Sequence, residues 1–114
     1  MTPKDFRRLA LSLPNAVEAS HFGHPDFRVG GKIFATLGYP DESWAMIKLT
    51  PKQQAKLVVT DPQAFTPVAG GWGRGGSTNV LLSAADQLTV KSALATAWEN
   101  VASKPQAKGQ KARA

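Results

Sequence analysis

The sequence predicts an α+β fold, one antiparallel sheet packed on helices, and three observations carry that expectation. Short segments rich in aromatic and β-branched residues follow one another between residues 17 and 49, separated by turn residues. Thr2-Pro3 and Thr50-Pro51 both have the chemistry of a helix start, with Thr as N-cap and Pro at the first helical position. Near the C-terminus, Val90, Leu94, Ala97 and Val101 fall on one helical face. Runs of strands bracketed by helices indicate an α+β sandwich.

In the first helix Asp5 occupies the first turn, and Phe6, Leu9, Ala10 and Leu13 recur at helical spacing with Arg7 and Arg8 off that face. Pro14-Asn15 ends it. The segments "VEASHFG", "PDFRV", "KIFATLGY" and "SWAMIKL" read as a meander of three or four strands. Gly30-Gly31 marks a hairpin, because a two-residue primed turn needs positive φ. "YPDES" is a second turn. Gln53 is placed for a capping box on Thr50, in a helix running to about Val59. Asp61-Pro62 turns the chain into a brief strand, "AFTPV". The glycine loop 70–77 follows as a hairpin tip, and "STNVLLS" is the last strand. Ser83, with Asp86 three residues on, opens the final helix, whose apolar face Trp98 borders. The expected order is α-β-β-β(β)-α-β-β-α, with residues 1–103 as one domain and 104–114 as a disordered basic tail.

Composition bounds the function. A chain of 114 residues with 42% hydrophobic content suits one small domain, which at this size buries about two-thirds of its unfolded surface. The absence of Cys excludes disulfides, thiolate-metal sites and thiol nucleophiles. No signal-peptide pattern and no apolar run of about 20 residues is present, so a cytoplasmic protein without a membrane span is expected. The net charge of +6 is uneven: residues 1–103 hold ten Lys/Arg against eight Asp/Glu. The tail adds Lys104, Lys108, Lys111 and Arg113 with no acid. Such a tail can hold nucleic acid loosely through counterion release, but more often it is a solvated terminus.

Two segments invite chemistry. "GGWGRGGST" has the Gly70 to Gly75 gap of a phosphate-binding loop, but Gly76 stands where the lysine must be and a strand follows. A dinucleotide-binding loop fails too, since no βαβ unit surrounds it. "SHFGHPD" offers His21, His24 and Asp26 as metal ligands. On one strand, however, positions 21 and 24 point to opposite faces, so the expectation is no metal and no cofactor, with the imidazoles hydrogen-bonded near Phe22, Phe27 and Asp26. No Ser carries the signature of a nucleophile. A non-enzymatic protein is expected.

"LALSLPNAVEASHFGHPDFRVGGKIFATL", "IKLTPKQQAKLV" and "FTPVAGGWGRGGSTNVLL", followed by the closing helix, resemble the MmcQ/YjbR family of small bacterial proteins over about residues 5–102. The resemblance implies an α+β fold similar to type III secretion chaperones and a DNA-binding protein with a double-wing motif. Where many relatives read G-W-T, this chain has Gly76-Ser77-Thr78 and so lacks an aromatic ring at position 77. The wings would be the tip 29–32, bearing Lys32, and the loop 70–77, bearing Arg74. Arg7, Arg8 and Arg28 would extend the stripe, and Trp72 would stack on a base. Because the domain's own excess is small, with Asp26 and Asp41 nearby, the expected contact with double-stranded DNA is weak and sequence-independent. The rival is a monomeric module binding a small ligand or a protein in a cleft of Trp72, Phe22, His21, His24, Arg28 and Arg74. In a purely structural arrangement Trp72 would fold onto the core and Arg74 would pair with Asp26 or Glu18.

Overall fold

The structure is a computed structural model that describes residues 1–102; the tail expected over 104–114 lies outside the described residues. The chain runs α1 (Pro3–Leu11), β1 (Val17–His21), β2 (His24–Val29), β3 (Lys32–Leu37), β4 (Trp44–Lys48) and α2 (Pro51–Thr60). It continues β5 (Phe65–Pro67), α3 (Gly71–Arg74), β6 (Ser77–Leu81) and α4 (Gln87–Ala102). All six strands form one antiparallel sheet in the order β1-β2-β3-β4-β6-β5.

Local chemistry sets the helix starts. Thr2 accepts from the Asp5 N–H while Asp5 accepts from the Thr2 N–H, and Thr50 and Gln53 repeat this reciprocal cap on α2. The start of α4 corrects the sequence expectation. Asp86, not Ser83, is the cap: its carboxylate accepts from the Thr89 N–H at 3.0 Å and the Thr89 hydroxyl at 3.2 Å. Leu82 and Ala85 are buried, which keeps the chain in a tight turn until the helix can begin.

One face of the sheet makes the core. Phe27 and Val29 on β2, Ala35 and Leu37 on β3, Ala45 and Ile47 on β4 and Val80 on β6 are buried against Phe6, Ala10, Val90, Leu94 and Ala97 of α1 and α4. The helix α4 packs on β3 and β4, and α2 on β5 and β6. A bulge opposite Phe27 and Arg28 lets consecutive β3 residues, Phe34 and Ala35, both be fully buried. Burying a phenylalanine such as Phe27 contributes about 1.5–3 kcal/mol. Trp98 ties α4 to the turn after α1 through a 2.9 Å bond from its indole N–H to the Pro14 carbonyl. Among the described residues no helix is long and apolar enough to cross a membrane.

Candidate functional site

Alternation along the strands leaves the other sheet face without this helical cover. The register runs Ala19, Asp26, Thr36, Met46, Asn79 and Thr66 in one row across all six strands. Over its middle lies a groove of about 770 Å³. One wall is the β1–β2 turn, with His21, Phe22 and His24, beside Tyr39 and Pro40 from the loop after β3. The opposite wall is Val68, Ala69 and Trp72, and the floor is Thr36, Met46, Ser77 and Asn79. Phe22 is 94% exposed and Trp72 is 68% exposed, so neither ring is tucked into the core.

The histidines overturn the expectation that they face opposite sides. Phe22 and Gly23, at φ +51° and +79°, make a two-residue turn. His21 and His24 are therefore directly opposed across the β1–β2 ladder and share a face. Counting alternation along one strand missed the turn between them. The His21 ring meets Phe22 edge-on at 5.9 Å and the His24 ring meets Tyr39 at 5.4 Å. Phe27, expected near them, packs instead against Phe6 on the core side.

Asp26 lies fully buried beneath this wall. Its carboxylate takes the Arg28 Nε at 2.7 Å and Nη2 at 3.1 Å, and meets Nδ1 of His21 at 2.7 Å. The Arg28 hydrogen bonds hold the Asp26 carboxyl below the ordinary carboxylate value, against burial that pushes it up, with His21 helping. Arg28 is correspondingly held more basic by the same pair. Because an ionised carboxylate only accepts, His21 carries its proton on Nδ1. Nε2 is then the ring nitrogen left for a ligand.

The glycine segment is more built than a hairpin tip, and here too the sequence expectation is corrected. Residues 71–74 form the helical turn α3. The side chain of Gln54, on α2, donates to the carbonyls of Gly73 at 3.0 Å and Ser77 at 2.9 Å. A Cβ on Gly73 would run into the Val68 carbonyl, and one on Gly76 into the Leu49 carbonyl. Gly76 also sits at φ +111°. What comes so close to these glycines is therefore the protein's own backbone. Trp72 projects from this platform with the Lys48 ammonium 5.3 Å from its ring centroid. On the ring's other side is a second hollow of about 650 Å³, lined partly by Lys48, Thr50 and Asn100.

The cations divide into two groups. Arg7 pairs with Glu18 at 2.9 Å, Arg8 with Asp5 at 3.1 Å and Arg28 with Asp26. Lys32 and Arg74 are exposed and form no ion pair among the described residues. Of the six residues expected in one cleft, Trp72, Phe22, His21 and His24 do meet, while Arg28 is bound to Asp26 and Arg74 is not among the lining residues. Asp41 turns its carboxylate onto the Ser43 N–H at 2.8 Å. The described residues contain no group of three His, Cys, Asp or Glu that could hold a metal ion.

Sequence reasoning missed Tyr39, Thr36, Ser77 and Asn79, and missed Gln54, which holds the Gly73 and Ser77 carbonyls. The signal available for the floor residues was their position between the apolar residues of β3 and β6, which puts them on the opposite sheet face.

The YjbR family model matches residues 11–100. In structure the chain is similar to protein DR2400 of Deinococcus radiodurans, described as a DUF419 domain, at a TM-score of 0.75 and 20% identity. That likeness covers 90% of this chain and 80% of the other and concerns the fold. No curated protein matches the chain.

Proposed function

The chain belongs to the YjbR family, and from that premise we propose that it is a non-enzymatic, cytoplasmic binding module, acting as a monomer, whose working surface is the open sheet face. The observation that carries this is the convergence of His21, Phe22, His24, Tyr39 and Trp72, from three separate parts of the chain, around one groove. Its volume lies in the range of small-molecule sites, and its aromatic walls over a few polar floor groups match the usual make-up of such sites. The rings are exposed although burying them would stabilise the fold, which supports a role in contact with a ligand. His21 bonds to Asp26, and among the described residues no hydroxyl is hydrogen-bonded to it, which supports binding rather than nucleophilic catalysis.

The uncharged dye N-phenyl-1-naphthylamine tests the groove by chemical-shift mapping. Shifts at Trp72, Tyr39 and Asn79 that vanish in Trp72→Ala are expected. Shifts confined to the hollow between α2 and α4, around Leu57 and Leu88, would overturn the reading.

A second reading, weak contact with double-stranded DNA, is supported by Lys32 and Arg74. Register places the 29–32 turn and the start of β6 at the same end of the sheet, so two exposed cations share one end. Each phosphate contact adds about 0.9 to the salt slope of binding, so replacing both by Ala makes it shallower by about 1.8. An unchanged slope in a fluorescence-anisotropy salt titration removes both tips from the interface.

A further inference from the structure

We infer that the groove takes an uncharged lactam-type heteroaromatic ring, of the kind found in nucleobases, with the ring N–H donated to Nε2 of His21. The inference rests on the groove being the binding site, as proposed above, and names the ligand class from the groups that face it.

Charge comes first. None of the described residues lining the groove is Asp, Glu, Lys or Arg. An anionic headgroup would find no lysine or arginine among them, which favours a neutral part of the ligand entering the groove. The walls come second. Trp72 faces the Phe22 and Tyr39 side across the floor, and such surfaces favour a flat π-system over an aliphatic chain.

Polar groups then choose among flat rings. Asp26 fixes the His21 proton on Nδ1, and Arg28 keeps Asp26 ionised, so a neutral His21 presents a hydrogen-bond acceptor on Nε2. Ser77 is only 7% exposed, lines the floor, and its hydroxyl has no hydrogen-bond partner among the described residues. A buried hydroxyl without a partner is costly, and a ligand oxygen or N–H would relieve that cost. The Asn79 carboxamide and the Thr36 hydroxyl also line the floor with no side-chain partner among the described residues. A carboxamide both donates and accepts. The complement of this set is a ring edge carrying N–H next to C=O. A purely apolar aromatic would leave all four groups unsatisfied.

Such a ring could arrive as a free nucleoside or as an unpaired base in a single strand, and the experiment separates these sources. Titrate the full chain with uridine and with inosine, following tryptophan fluorescence and backbone chemical shifts. Repeat with 3-methyluridine and 1-methylinosine, in which a methyl group replaces the N–H proton. The expected result is groove binding by the parent nucleosides and at least a tenfold loss on methylation, since a site built around a hydrogen bond rejects the analogue lacking it. In His21→Phe, which keeps a flat ring but removes the acceptor, parent and methylated nucleosides should bind equally. A short oligouridine should bind no more tightly per base than uridine if the free compound is the ligand. A much tighter, salt-sensitive oligomer would name a single strand as the source.

Equal affinity for parent and methylated nucleosides, with shifts still in the groove, overturns the hydrogen-bond inference and leaves the groove reading standing. No groove shift with any nucleoside overturns this inference outright, and the dye experiment then decides the groove separately.

Discussion

At one wall of the groove Phe22 and Gly23 turn the chain between two histidines; at the other, Trp72 rises from a run of glycines. Each wall is a glycine beside an exposed aromatic, yet they are held by different forces. The first rests on charge: the carboxylate of Asp26, gripped by Arg28 and His21, lies under the turn. A Cβ on its glycine, Gly23, would meet nothing within 4 Å. The second rests on main-chain packing, with Gly73 and Gly76 against neighbouring carbonyls and Gln54 donating from α2. One wall should therefore respond to pH and tolerate new side chains, and the other should do neither.

Gly76→Ala should have the largest effect. The added methyl meets the Leu49 backbone, and φ is in the left-handed region, so we expect a loss of about 3 kcal/mol or more in urea denaturation. A loss under about 1 kcal/mol would mean that the second wall yields. Asp26→Asn should cost about 2 kcal/mol at pH 7, less than a fully buried pair because Arg28 and His21 both reach solvent. Its sign with pH follows from the lowered carboxyl. Stability from the pair is complete above the ordinary value of 3.8 and fades as pH falls through the lower folded value. The gap between wild type and variant should narrow as pH falls below that ordinary value. A gap that widens as pH falls below 3.8 would contradict the assignment.

Gln54→Ala should cost about 1–2 kcal/mol, because two carbonyls lose a buried donor. The same loss at pH 7 and pH 4 is expected, since no titrating group takes part; a pH-dependent loss would erase the contrast. The smallest effect is Gly23→Ala, about 1 kcal/mol from positive φ alone. A cost equal to that of Gly76→Ala would show the first wall to be packed after all.

Much of the fold was legible because its determinants are local. The Thr50 and Gln53 cap, the Gly30-Gly31 turn and the Val90–Leu94–Ala97 face are all spacings within a few residues. The site was legible only as residue types. Trp72, Phe22 and the two histidines stood out, but Thr36 and Asn79 became neighbours of Met46 through strand register, which no short window contains. The helical turn at 71–74 was hidden because four of the six residues from 70 to 75 are glycine, a poor helix former. Contacts from the nearby Val68 carbonyl and from Gln54, 19 residues away along the chain, impose it.

The Arg7–Glu18 ion pair acquires a different significance from the position of β1. That strand is an outer margin of the sheet, and its backbone groups on the outer side are a template on which another extended chain could align. Val17 beside them is more than half exposed. A charged side chain pinned at this margin discourages stacking of copies, while the opposite margin, β5, is only three residues long and ends in Pro67. Removing the Glu18 charge would therefore be felt less in the folding equilibrium than in how concentrated a solution of the protein can become before it forms fibrous or amorphous aggregates.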